Sequence, residues 1–248
     1  MVLLRKTLYM IVALCAAMSI HAEAWRTHFA YNNVTQIALG SDVVYALSDG
    51  SLFSVNKQTE AVKVYNHQSG LHGTSITCIH YDALGSQLLI GYSNGQIDLL
   101  TSNGVRYIGD LYDKDMTQRK TIYNVTLQGR TAYLSTPYGV QTMDMREYKL
   151  VDSYWLRPGG QEIEVKDVLL TKDSIYAFTD DSLFCAKQTD NLVDYRVWKR
   201  EKSGRIQPDE EKGVHYEDGS NHWYRGYEEG IVRFTATERP FTIPFNFS

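Results

Sequence analysis

Outside its first 24 residues the chain carries six histidines: His28, His67, His72, His80, His215 and His222. None sits in an HExxH arrangement, and none pairs with cysteine or carboxylate at a spacing that would hold zinc. His67 and His72 flank a glycine-bearing connection and read as loop residues. Cys78 and Cys185 lie 107 residues apart and read as two buried thiols in different cores, not as a bridge. There is no GxSxG turn for a serine nucleophile and no glycine loop that would cradle phosphate. No catalytic residue, metal site or cofactor is therefore expected. The remaining candidates are for binding. Lys199, Arg200, Lys202 and Arg205 form a basic run that suits an anion, followed by Asp209, Glu210 and Glu211. Trp223, Arg225 and Tyr227, with Tyr224, are of the types that stack sugars or grip anions. Core packing is the simpler reading of the aromatic group, because it lies on a strand-like run. The stretch from Trp198 to Gly219 reads as a solvated, mixed-charge loop. Asn33-Val34-Thr35 and Asn124-Val125-Thr126 fit the glycosylation sequon, a short match that arises readily by chance.

These residues must be positioned by strands. The 248 residues include 18 Tyr and 18 Gly but only 5 Pro, and 43% are hydrophobic. That balance belongs to a folded chain rich in strands and tight turns. A net charge of −4 gives no footprint for nucleic acid. Three cysteines exclude a disulfide-built scaffold. Residues 1–24 read as a secretory signal: Arg5 and Lys6 precede an apolar run from Leu8 to Ile20, and Ala22-Glu23-Ala24 sets the cleavage between Ala24 and Trp25. The run is too short to span a bilayer, and Leu14 before Cys15 does not suit a lipoprotein signal. Taking Arg5, Lys6 and Glu23 from the 25 basic and 29 acidic residues leaves 23 and 28, a mature charge of −5. No later stretch is apolar for long enough to cross a membrane, so an exported chain of the periplasm or cell surface is expected.

Five segments align: VVYALSDGSL, LLIGYSNGQI, AYLSTPYGVQ, IYAFTDDSLF and WYRGYEEGIV. Each carries a turn residue, namely Gly50, Gly95, Gly139, Asp181 and Gly230. Four positions earlier stands a small residue: Ala46, Gly91, Ser135, Ala177 and Gly226. The turn residues are 45, 44, 42 and 49 residues apart. The turn column suits tight reversal through positive φ, and the small column suits close approach of a neighbouring sheet or ring. About four strand-like runs fill each period, at 34–40, 43–49, 51–57 and 61–67 in the first and 75–82, 87–93, 95–101 and 105–112 in the second. The second run of each is apolar on both faces, as in a strand covered on two sides. Four-stranded sheets of about 45 residues that bury both faces stack as the blades of a β-propeller. A single β-sandwich would account for the strands but not for the two columns.

The expected architecture is all-β: a signal peptide at 1–24 and a propeller domain at 25–248 of about five four-stranded blades. The blades fall near 33–70, 71–115, 120–160, 164–200 and 213–248. Pro240 and Pro244 interrupt the last run, so an open, incomplete part of a larger ring is expected, with exposed edges and low solubility.

The stretch SGLHGTSITCIHYDALGSQLLIGYSNGQIDLL resembles the two-component-regulator propeller repeat. The opening WRTHFAYNNVTQIALGSDVVYALSDGSLFSV looks similar to the PorZ-like N-terminal propeller family of type IX secretion. That resemblance implies a seven-bladed ring in the family and a non-enzymatic exported module. It also implies secretion-complex proteins and anionic lipopolysaccharide as partners, and association with the outer membrane. The alternative it leaves is the glycan-sensing ectodomain fragment of a hybrid two-component regulator. Family members are about three times this length, so the chain is expected to be a truncated or split member, or one that closes on five blades. No binding residue is carried over from the resemblance.

Overall fold

The computed structural model describes residues 33–180 and 182–201, together with four later strands. Residues 1–32, Asp181, Lys202, Arg205 and Tyr227 lie outside the described residues, and with them the expected signal and its Ala24–Trp25 cleavage site.

Among the described residues, twenty strands make five four-stranded antiparallel sheets, each a simple meander. The first is β1 (Val34–Leu39), β2 (Val43–Ser48), β3 (Ser51–Asn56) and β4 (Val62–Tyr65). The second is β5 (Ile76–Asp82), β6 (Gln87–Tyr92), β7 (Ile97–Thr101) and β8 (Gly104–Ile108). The third holds β9 (Asn124–Gln128), β10 (Thr131–Thr136), β11 (Gly139–Asp144) and β12 (Lys149–Tyr154). The fourth holds β13 (Asp167–Leu170), β14 (Ser174–Phe178), β15 (Leu183–Lys187) and β16 (Lys199–Glu201). The fifth holds β17 (His215–Asp218), β18 (Asn221–Gly226), β19 (Gly230–Thr235) and β20 (Phe241–Ile243). The first strands β1, β5, β9 and β13 neighbour one another in that order, and the sheets form an open part of a β-propeller.

Two expectations need correction. The last strand of the second sheet ends at Ile108, and one helical turn, α1 (Asp110–Asp113), follows it. The stretch from Trp198 to Gly219 is not one loop: Trp198 is buried in the core, Lys199–Glu201 is a strand, and so is His215–Asp218. The Trp198 indole N–H donates to the Leu192 carbonyl at 2.9 Å and so starts the strand from inside the core.

Three apolar clusters fill the junctions between successive sheets. Leu47, Leu52 and Tyr65 meet Ile79, Leu88 and Ile90; Cys78, Leu89 and Leu99 meet Val125, Leu134 and Met143; Val140 and Tyr154 meet Val168, Ala177 and Phe184. Strand β6 is buried along its whole length, which is why its sequence does not alternate.

The small residues do not share one face. Ala177 turns back onto the third sheet, and Ala46 faces away from the second sheet. Gly91 and Ser135 instead face the sheet that follows. The reason lies in the turns, whose closing pairs are Ser48↔Ser51, Gly91↔Ile97, Thr136↔Gly139, Phe178↔Leu183 and Gly226↔Gly230. Turns of unequal length convert one constant offset along the chain into different positions on the ladder. Gly50 occupies the two-residue turn with Asp49, both at positive φ, a geometry that twists with the strands it joins. Gly95 lies in the turn between β6 and β7, whereas Gly139 and Gly230 begin the third strands of their sheets.

Gly91 is small because of contacts from two directions. A Cβ there would stand 2.6 Å from Cys78 Sγ and 3.1 Å from Ile122 Cγ2. Gly91→Val is expected to cost about 1–3 kcal/mol by overpacking. A urea midpoint equal to that of the parent chain would overturn this. Ser135 Oγ, fully buried, has no hydrogen-bond partner among the described residues.

Candidate binding surface on the rim

In a four-stranded meander the start of the first strand and the turn between the second and third strands lie at one end. The connections 66–75, 109–123 and 155–166 that lead into the next sheet lie at that end too. This rim gathers side chains from neighbouring sheets without disturbing the cores, the usual place for function on a rigid scaffold.

The densest polar group on the rim bridges the third and fourth sheets. Glu164 receives Arg119, Lys166 at 2.8 Å and the Tyr123 hydroxyl at 3.1 Å. Lys166 Nζ also stands 3.7 Å from Asp180 and 4.5 Å from the centroid of the Tyr123 ring. Arg119 and Asp180 reach into solvent, whereas Lys166 is mostly covered. Two cations, two carboxylates and a ring leave no net charge, so the group suits hydrogen bonding to a mixed-charge partner better than capture of a bulk anion.

A second group belongs to the second sheet. Asp98, the second residue of β7, is fully buried. It accepts the backbone N–H of His72 at 2.8 Å, a ring nitrogen of His72 at 2.8 Å and the Tyr92 hydroxyl at 2.7 Å. These bonds satisfy the carboxylate without solvent, and burial together with the Asp98 bond pushes the Tyr92 hydroxyl well above the usual phenol range. The half-exposed His72 ring packs at 5.0 Å on Tyr107. No metal-competent cluster occurs among the described residues.

Nearer the axis, Gln36 ties three first strands together. Its amide accepts the Ile79 N–H at 2.8 Å and donates to Asn124 at 3.2 Å, and Asn124 donates to Asp167 at 2.6 Å. Asn124 is buried and doubly bonded, so the sequon it begins has no room for a glycan.

The basic run is only partly assembled. Lys199 and Arg200 sit on β16, on alternate faces, and the Arg200 guanidinium donates to Ser182 at 2.6 Å. Trp223 and Arg225 lie on β18, where they pair with Arg233 and Ile231 of β19. Lys202, Arg205 and Tyr227 lie outside the described residues. Burial raises the Cys78 thiol to about 12, which makes it unreactive, whereas Cys185 is half-buried.

The rim pairs were missed when motifs were sought locally. Arg119 and Glu164 are 45 residues apart, and Asn124 and Asp167 are 43. Each separation is about one repeat, so comparing polar residues one period apart would have found them. His72 and Asp98 left a different trace: a carboxylate set among Ile97, Leu99 and Leu100 needs a buried partner.

Comparison with known proteins agrees with this architecture. A structure of PorZ, a surface component of the type-IX secretion system of Porphyromonas gingivalis, superposes with a TM-score of 0.66 at 24% identity. The match covers 86% of this chain and 28% of that one. The extracellular domain of BT4673 from B. thetaiotaomicron, assigned to a hybrid two component system, superposes with a TM-score of 0.57 at 14% identity. It is covered over 35% of its length, and this chain over 87%. The chain thus spans about a third or less of these relatives, and at such identities the likeness is one of fold. No curated protein sequence matches. The family model described as "TSS9, PorZ, N-terminal beta-propeller domain" matches residues 44–199. That match takes in the second strand of the first sheet through the start of the last strand of the fourth, and the chain belongs to the PorZ N-terminal β-propeller family.

Proposed function

We propose that the chain is an exported, non-enzymatic propeller module that docks proteins of a type IX secretion complex through its rim. The family match over residues 44–199 carries this reading. The expected signal at 1–24 supports export, and among the described residues no helix is long and apolar enough to cross a membrane. The choice of a protein partner over anionic lipopolysaccharide rests on charge. A mature charge of −5 repels a polyanion, and Arg119 and Lys166 are already engaged by Glu164. Lys199, Arg200, Lys202 and Arg205 remain the candidates for a glycolipid, with Trp223, Arg225 and Tyr227 beside them in the sequence.

Pull-down from outer membranes with the purified chain, set beside binding to purified anionic lipopolysaccharide, tests the choice. Secretion-complex proteins are expected to be recovered, and Arg119→Ala with Lys166→Ala should reduce recovery about tenfold or more. Binding to lipopolysaccharide alone would transfer the function to the basic run. Binding only to neutral oligosaccharides would favour a glycan sensor, and turnover of a polysaccharide would overturn the non-enzymatic reading.

A further inference from the structure

In the first three sheets the third and fourth strands are joined, at the end away from the rim, by residues 57–61, 102–103 and 145–148. In the fourth sheet the same connection is residues 188–198, eleven residues against at most five. Its length is not slack. Leu192 and Trp198 are buried in the cluster between the third and fourth sheets, tied by the bond from the Trp198 indole to the Leu192 carbonyl. Backbone N–H groups close successive turns along it, Asp190 onto Lys187 at 3.0 Å, Asp194 onto Asn191 at 2.9 Å and Trp198 onto Tyr195 at 3.2 Å. Between the two core anchors, Val193 is 52% exposed, Tyr195 39% and the Arg196 side chain 75%. The Asp194 carboxylate accepts the Arg196 backbone N–H at 3.0 Å and its Nε–H at 2.9 Å, which holds the guanidinium in place. The Nη1 donors of Arg196 have no partner among the described residues.

We propose that residues 193–196 are a second docking element, for a protein that offers an apolar pocket to Val193 and Tyr195 and oxygen acceptors to Arg196. The element lies at the end opposite the rim, so it stands or falls apart from the rim reading given above. Long connections packed by their own side chains are a usual place for function. A slack loop would lose its freedom on binding, whereas this one has already lost it on folding. Tyrosine and arginine are also the residue types that most often dominate protein interfaces. An exposed valine beside an exposed tyrosine suits the wall of a protein pocket better than a small ligand, which needs a concave site around it. A lipid surface fits less well. The connection carries Asp190 and Asp194 against Arg196 alone, a balance that does not attract anionic headgroups.

The test is quantitative mass spectrometry of proteins captured from outer membranes by the purified chain, by Val193→Asp with Tyr195→Ala, and by the rim variant Arg119→Ala with Lys166→Ala. At least one protein held by both the parent and the rim variant should fall about tenfold or more with the loop variant. That protein, purified, should bind the parent chain and not the loop variant. Tyr195→Phe keeps the ring and should retain capture. The loop variant should keep the parent's circular dichroism, because both substituted side chains are exposed. Val151→Asp, at a residue 61% exposed on β12, should capture as the parent does. If no protein falls with the loop variant, the proposal is overturned, whatever the rim variant does. A loss shared equally by Val151→Asp would overturn it too. So would sedimentation of the parent, but not of the loop variant, with phosphatidylglycerol vesicles while every captured protein is kept, since that result assigns the loop to lipid.

Discussion

Asp98→Ala is expected to destabilise the chain by about 3–5 kcal/mol, a large part of the 5–15 kcal/mol that holds an ordinary domain together. The carboxylate is buried beyond reach of water and takes three donors. Its removal strands the Tyr92 hydroxyl and the His72 backbone N–H, each costing about 1–3 kcal/mol when left unpaired. The connection carrying His72 would then lose its hold on the second sheet. Asp98→Asn keeps one acceptor and should cost less than half as much. Urea denaturation followed by tryptophan fluorescence reads both. A midpoint shift in Asp98→Ala equivalent to under about 1 kcal/mol would show that His72 and Tyr92 find other partners.

The second large effect is expected at Gly139, for a reason of space and not of charge. Its φ is 134°, and a Cβ would lie 2.2 Å from the carbonyl oxygen of Tyr154, in the neighbouring strand. A backbone oxygen held in a sheet cannot swing aside as a side chain would. Gly139→Ala should therefore combine backbone strain with overpacking, each about 1–3 kcal/mol. Gly104→Ala isolates the first contribution. Gly104 has a φ of 124° but nothing within 4 Å of its virtual Cβ. The loss at Gly139 should exceed that at Gly104 by at least about 1 kcal/mol in thermal melts. Equal losses would mean that the third sheet yields at Tyr154.

The strands of the first two sheets were legible because two signals coincide there. Apolar runs such as Leu88–Leu89–Ile90 are bounded by residues suited to positive φ, among them Asp49, Gly50 and Gly95. The face of each residue was not legible. Whether Ala46 and Gly91 look the same way depends on how many residues each turn holds, which a constant offset along the chain does not record. The charged stretch after Trp198 misled for a related reason. A three-residue outer strand such as Lys199–Glu201 needs no apolar pattern, since only one buried anchor, Trp198, fixes where it starts. Of the candidate residues, the basic run was chosen for its density of charge. The rim group that forms in the structure draws Arg119, Tyr123, Glu164 and Lys166 from two separate connections, so no short window contains it.

The bond from Gln36 to Asn124 has a kinetic consequence. Each sheet is a meander of hairpins, so nearly all its pairing is local and can form as soon as its own stretch of about 30–35 residues is available. The Gln36 side chain, by contrast, reaches a partner 88 residues away and passes over the whole second sheet to do so. Closing a loop of that length carries an entropic cost that none of the hairpins bears. Pairing within each meander is therefore expected to precede the contacts that join the three first strands. A chain crossing a membrane from its N-terminus would deliver the first sheet well before the residue that secures it.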